Sequence, residues 1–154
     1  METLYLNKEG RWYHEGIEIT HEKTCSLFYR HLSKEGDGRY YIRIGNEIAK
    51  VAIEDAPYVV RSVHVSKDPK GTISDYKLLL SDGSQELLDP RTLFVGKRNV
   101  LYCRVKDGNH LARFSRPAYQ LLCSHLQYDE ENDRYWIPWR EMPMFINDKN
   151  GCAG

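Results

Sequence analysis

The chain has 154 residues, with 22 Lys plus Arg balanced by 22 Asp plus Glu, and a formal net charge of zero. That length suits one domain or two small halves and excludes a large multidomain enzyme. Zero net charge excludes a global field that would draw in nucleic acid or an anionic membrane, and 41% apolar with 29% charged residues excludes the composition of disorder.

The first residues, Met1-Glu2-Thr3-Leu4-Tyr5-Leu6, do not lead from a basic segment into an apolar stretch, so the sequence predicts no secretory signal and a cytoplasmic location. Ile17-Glu18-Ile19 alternates as a short strand, Thr20 is placed to cap a helix, and Thr24, Leu27, Phe28, His31 and Leu32 recur at helical spacing. Together they predict a helix over about residues 21–33. After the turn cluster Lys34–Gly38, Arg39–Ile44 reads as a strand, followed by strands at Glu47–Ile53 and Tyr58–Ser66, the latter with Arg61 in its apolar phase. Asp75–Leu80, Gln85–Leu88, Asn99–Val105 and His110–Phe114 are further strands. Asp89-Pro90 breaks the pattern, and Asp107-Gly108 is a strong hairpin signal. Ser115 then caps a second helix with Pro117 in its first turn and a stripe of Tyr119, Leu122, Cys123 and Leu126, before a strand at Asp133–Ile137. No apolar run exceeds about four residues, against about 20 for a membrane-spanning helix.

Two segments read as one pattern used twice. Thr20 matches Ser115 at an offset of 95, His31-Leu32 matches His125-Leu126 at 94, and Arg39-Tyr40 matches Arg134-Tyr135 at 95. Duplication explains this, with convergent strand–helix–strand patterning as the alternative. Duplicated halves this small are expected to share a core, with a cleft where they meet. The fold class predicted is α+β, as an N-terminal half over 4–66, a C-terminal half over 67–147 and a flexible tail over 148–154 that contains Cys152.

The chemistry-bearing residues are sparse. Cys25, Cys103, Cys123 and Cys152 form no Cys-x-x-Cys pair and read as reduced thiols, mostly buried. His21 and Cys25 sit at i, i+4 without further ligands, and His31 and His125 read as helix-end residues, so no metal site and no cofactor is predicted. No nucleophile elbow, phosphate loop or His-Glu-x-x-His motif occurs, which points away from an enzyme. A guanidinium on a buried strand phase, as at Arg61, needs an anionic partner, or a bulge that turns it outward. Aromatic and basic residues alternate at Arg39–Arg43, Arg113–Arg116 and Arg134–Trp136, a pattern able to stack a base and hold a phosphate.

Several stretches together resemble a known family. Gly10-Arg11-Trp12-Tyr13-His14-Glu15-Gly16, Leu27–Leu32, Asp37-Gly38-Arg39-Tyr40-Tyr41, Val51–Tyr58 with its Glu54-Asp55-Ala56-Pro57, and Ala112–Tyr119 are similar to the bacterial domain-of-unknown-function family 1285. The likeness runs from about Leu4 to Ile146 and departs from the family pattern at Ile44–Ile48 and Leu80–Ser84. It implies a duplicated α+β core whose C-terminal half is like a pleckstrin-homology barrel, a nucleotide-like ligand where the halves meet, and a signalling role without an established activity.

The expectation is therefore a non-catalytic small-ligand module. Arg43, Arg61, Arg113 and Arg116 are its candidate anion contacts, Tyr41 and Trp136 its stacking residues, and Glu54 and Asp55 either order the start of the following strand or accept ribose-like hydroxyls. A protein-interaction module without a small ligand and a small metal-dependent hydrolase are the alternatives.

Overall fold

The computed structural model describes residues 2–148, so the tail expectation for 149–154, with Cys152, lies outside the described residues. The chain divides into two units at Pro57/Tyr58.

In the N-terminal unit, β1 (Glu2–Leu6), β2 (Trp12–His14) and β3 (Ile17–Ile19) form an antiparallel meander. Helix α1 (Glu22–Arg30) follows, and then a second meander of β4 (Leu32–Lys34), β5 (Tyr40–Ile44) and β6 (Glu47–Ile53). The meanders join through β1 and β6, which run parallel with Leu6 beside Ile53, giving the sheet order β3-β2-β1-β6-β5-β4. Leu4, Leu6, Val51 and Ile42 alternate onto one face and are buried beneath α1. The helix begins one residue later than the sequence predicts, because the His21 ring, not Thr20, caps it: His21 Nδ1 accepts the Thr24 N–H at 3.3 Å. It also ends earlier, at Arg30. Leu32, Ser33 and Lys34 are extended and pair with Ile42, Tyr41 and Tyr40, so sheet hydrogen bonding takes the residues that helical spacing had claimed.

The C-terminal unit starts with β7 (Tyr58–Lys67), β8 (Ile73–Leu80) and β9 (Gln85–Leu87). After a 3-10 turn at Pro90–Thr92 come β10 (Phe94–Val95), β11 (Leu101–Val105), β12 (His110–Phe114), helix α2 (Arg116–Cys123), β13 (Gln127–Asp129), β14 (Arg134–Trp139), β15 (Met142–Phe145) and β16 (Asn147–Asp148). From β10 onward this order repeats the N-terminal unit. β13 lies at an offset of 95 from β4, the run 142–148 lies at 95 from β6, and β16 runs parallel to β10 as β6 does to β1. The turns repeat too: Gly38 and Asp133 both have positive φ, as do Gly45 and Arg140, and Gly16 and Gly108. The two halves are related.

Two boundaries differ from the sequence reading. β7 pairs with β12 and β8, so it belongs to the C-terminal unit instead of closing the first half at residue 66. The barrel implied by the resemblance is not closed either. Among the described residues the strands form an open seven-stranded sheet, β16-β10-β11-β12-β7-β8-β9, and a three-stranded sheet β13-β14-β15. The two sheets separate at Ile146, where the last strand breaks: β15 stays with β14 while β16 moves to β10. Tyr76 anchors the small sheet by donating its hydroxyl to the Pro138 carbonyl at 2.7 Å, and Asp75 accepts from Arg140 at 3.0 Å. Among the described residues no helix is long and apolar enough to cross a membrane.

Candidate functional site

The eight candidate residues divide between the units. In the N-terminal unit, Arg43 Nε donates to Glu35 Oε1 at 2.8 Å and Tyr41 donates to Asp37 Oδ2 at 3.4 Å, so both brace the β4–β5 turn. The Glu54 carboxylate accepts the Lys8 N–H at 2.8 Å, fixing the β1–β2 turn. Beside it, desolvation first and the Glu54 charge second push the Tyr5 phenol above its ordinary value. Asp55 is exposed in the following turn. Tyr41 and Glu54 border separate recesses of about 270 and 350 Å³, so these residues do not converge on one cavity.

In the C-terminal unit, the β7–β8 register jumps from Val60↔Leu80 to Ser62↔Leu79. Arg61 is the bulged residue and points to solvent, so its guanidinium carries no desolvation cost and needs no anion. Trp136 also departs from the expected role. Its neighbours Tyr135 and Ile137 take the face of β14 that turns toward α2, where Ile137 is fully buried, and strand alternation sends Trp136 to the opposite face with Phe145.

Arg113 and Arg116 are brought together. Arg113 ends β12, Arg116 begins α2, and both line a recess of about 360 Å³ with Asn99, Phe114, Tyr119 and Gln120. The Ser115 hydroxyl caps α2 by accepting the Ala118 N–H at 3.3 Å, and Ser115 donates its own N–H to Val60 O at 2.9 Å. Pro117 has no N–H, so these bonds leave the Arg116 N–H as the helix-terminal donor nearest the recess. The guanidinium groups, more than the helix terminus, set its positive character.

Asn99 and Tyr119 also line a larger cleft of about 880 Å³ between α2 and the sheet, with Val95, Leu101, Leu122 and Cys123. The sequence reading did not find this cleft. Its signal was the Tyr119–Leu122–Cys123–Leu126 stripe, read as core packing. The Tyr119 phenol is pushed up first by its hydrogen bond with Cys123. Cys103, by contrast, is buried, and burial raises its thiol far above the ordinary value. Among the described residues no three His, Cys, Asp or Glu side chains group closely enough to hold a metal ion.

No family model matches the sequence, and no curated protein matches it. Solved structures do resemble it. A DUF1285 family protein from Silicibacter pomeroyi DSS-3 superposes with a TM-score of 0.74 at 15% identity, covering 96% of this chain and 80% of that one. The fold is that of DUF1285 family proteins. A second, from Shewanella baltica OS155, gives a TM-score of 0.62 at 20% identity over 80% of this chain and 92% of its own. The DUF1285-type fold thus spans both units of the present chain, as the resemblance in sequence implies.

Proposed function

We propose that the chain is a non-catalytic module that binds a small anionic, nucleotide-like ligand, with the anion held by Arg113 and Arg116 of the C-terminal unit. The observation that carries this reading is that two arginines, Arg113 and Arg116, line one recess. Guanidinium groups present planar, paired donors that match phosphate oxygens and stay charged at any physiological pH. A non-catalytic role is supported by the recess walls, where Asn99, Val100, Phe114, Tyr119 and Gln120 supply no carboxylate, imidazole, thiol or aliphatic hydroxyl beside the arginines. The resemblance in sequence to a bacterial family for which signalling has been suggested supports a signalling role.

A thermal-shift screen with nucleotides, cyclic dinucleotides, phosphorylated metabolites and divalent metals tests this. A ligand at 100 times its Kd adds about 2.7 kcal/mol to stability. Arg116→Ala should weaken the shift given by anionic ligands and leave the melting temperature of the free protein nearly unchanged, because Arg116 is exposed at the first position of α2. A large loss of stability with ligand binding intact overturns the assignment. A flat screen turns the reading toward a protein-interaction module, and chelator-sensitive turnover turns it toward a metal-dependent hydrolase.

A further inference from the structure

The two repeats are related, yet their helix–sheet layers are filled differently. Strand registers align them. Trp12 of β2 lies beside Leu6, which lies beside Ile53; Leu101 of β11 lies beside Val95, which lies beside Asp148, at 95 from Ile53. Leu101 therefore holds the place of Trp12. The helix caps His21 and Ser115 are 94 apart, so Leu122 and Cys123 hold the places of Phe28 and Tyr29.

In the N-terminal unit those three positions form an aromatic cluster. The Trp12 ring sits 5.3 Å from Phe28 and 5.2 Å from Tyr29, and Trp12 is 1% exposed. In the C-terminal unit three smaller side chains replace them, and all three line the 880 Å³ cleft. Tyr119 and Tyr135, 41% and 52% exposed, stand at the same cleft as unburied aromatic surface. An indole packed against two further rings fills the equivalent place in the sister repeat, so the smaller side chains here leave room of an aromatic ring's shape.

We propose that this cleft seats a planar heteroaromatic ring, in the volume that Trp12, Phe28 and Tyr29 fill in the N-terminal unit. The proposal rests on the anion-binding reading above, because it makes the ring the base of the same nucleotide-like ligand. Asn99 and Tyr119 line both the cleft and the Arg113/Arg116 recess, so one molecule spans the two with its ring under α2 and its phosphate on the arginines. Apolar walls from Leu101, Leu122 and Val95 bury the ring faces, and the Tyr119 and Tyr135 rings offer edge or offset contacts.

Titration calorimetry on the full chain, with adenosine and inorganic pyrophosphate as separate probes, tests the two halves independently. Wild type should bind both. Leu101→Trp/Cys123→Tyr, which restores two of the three aromatic positions, should lose adenosine by at least about tenfold, or about 1.4 kcal/mol, and keep pyrophosphate. Arg116→Ala should do the reverse. Circular dichroism reports whether the double variant folds; if it does not, Cys123→Tyr alone, at a half-buried position, serves instead. Pyrophosphate binding without adenosine binding, or undiminished adenosine binding in the folded filled variant, overturns the ring seat and leaves the anion reading intact. Adenosine binding without pyrophosphate binding overturns the anion reading and leaves the ring seat standing. Binding of neither probe overturns both.

Discussion

Lys106→Met tests how the C-terminal unit locks its two exposed turns. Lys106 Nζ donates to Asp82 Oδ2 and to Ser84 Oγ, each at 2.8 Å, and lies 5.4 Å from the centre of the Tyr58 ring. These contacts tie the β8–β9 turn to the β11–β12 turn. Methionine keeps the unbranched stem and the positive φ of 56° but removes the charge. Breaking a fully buried pair costs about 3–5 kcal/mol, and an exposed pair is worth about 0.2–1. Here the Lys106 and Asp82 side chains are 31% and 14% exposed, so an intermediate loss of about 2 kcal/mol is expected. For a chain of this size that lowers the melting temperature by about 4–8 °C.

The same variant carries a pH signature. Burial pushes the Asp82 carboxyl up, but hydrogen bonds from Lys106 and Ser84 outweigh it and hold the group below its ordinary 3.8. A carboxyl depressed in the folded state contributes stability that is fully present above 3.8 and is lost as pH falls through the lower folded value. The stability gap between wild type and Lys106→Met should therefore be widest near neutral pH and narrow below about pH 4. Urea melts at pH 7 and pH 3 measure it, and Asp82→Asn with the double variant completes a cycle. A gap below about 0.5 kcal/mol at pH 7, or one that does not change with pH, refutes the lock.

Two further substitutions probe backbone and packing. Gly96→Ala should destabilise by about 1–3 kcal/mol, since a Cβ there would lie 2.6 Å from the Tyr102 ring, which stacks on Phe94 at 5.2 Å; unchanged chemical denaturation would show that the stack yields freely. Glu141→Gly should raise stability by about 0.5–1 kcal/mol, because Arg140 and Glu141 turn the β14–β15 hairpin with φ of 50° and 66°, a geometry that favours glycine; a loss in the same melts would place no strain at Glu141.

Local signals carried much of the architecture. The β6, β7 and β8 strands, the Asp107-Gly108 hairpin and the Ser115 cap all follow from alternation, turn chemistry and capping, which act within a few residues. What escaped was non-local. The parallel pairing of β1 with β6 joins residues nearly fifty apart, and nothing inside Glu2–Leu6 announces it. Leu32 fits a helical stripe as well as a strand, and only its pairing with Ile42 decides. Arg61 illustrates the same limit at one residue: its phase on β7 is apolar by counting, and a single register jump turns it out. Trp136 was misread, although the repeat itself places it. Ile42 and Ile137 are equivalent buried positions, which makes Tyr135 the inward aromatic and Trp136 the outward one.

The cleft was hidden for a more particular reason. The repeats align at 94–95 through helix and second meander, but Trp12 and Leu101 are only 89 apart, because β11 and β12 have five residues each where β2 and β3 have three, and the turn between them has four where the other has two. A search at one offset sets Trp12 against the wrong residue and misses the exchange of an indole for a leucine. The longer hairpin has a second effect. Ile17–Ile19 is a sheet edge in the N-terminal unit, with Ile17 72% exposed, whereas its counterpart Ala112–Phe114 pairs in parallel with Tyr58–Val60 and is no longer an edge. Covering that edge lets the C-terminal sheet draw its core from β7 and β8, where Val60, Val63, Tyr76 and Leu78 are buried. With a core secured there, the layer under α2 keeps Leu101, Ala118, Leu122 and Ile137 buried, while Leu101 and Cys123 stand where the N-terminal unit has Trp12 and Tyr29. A duplicated fold can exchange large side chains for small ones in one copy of a layer when new strands stabilise that copy from the other side, and in this chain the copy with the smaller side chains is the one that received them.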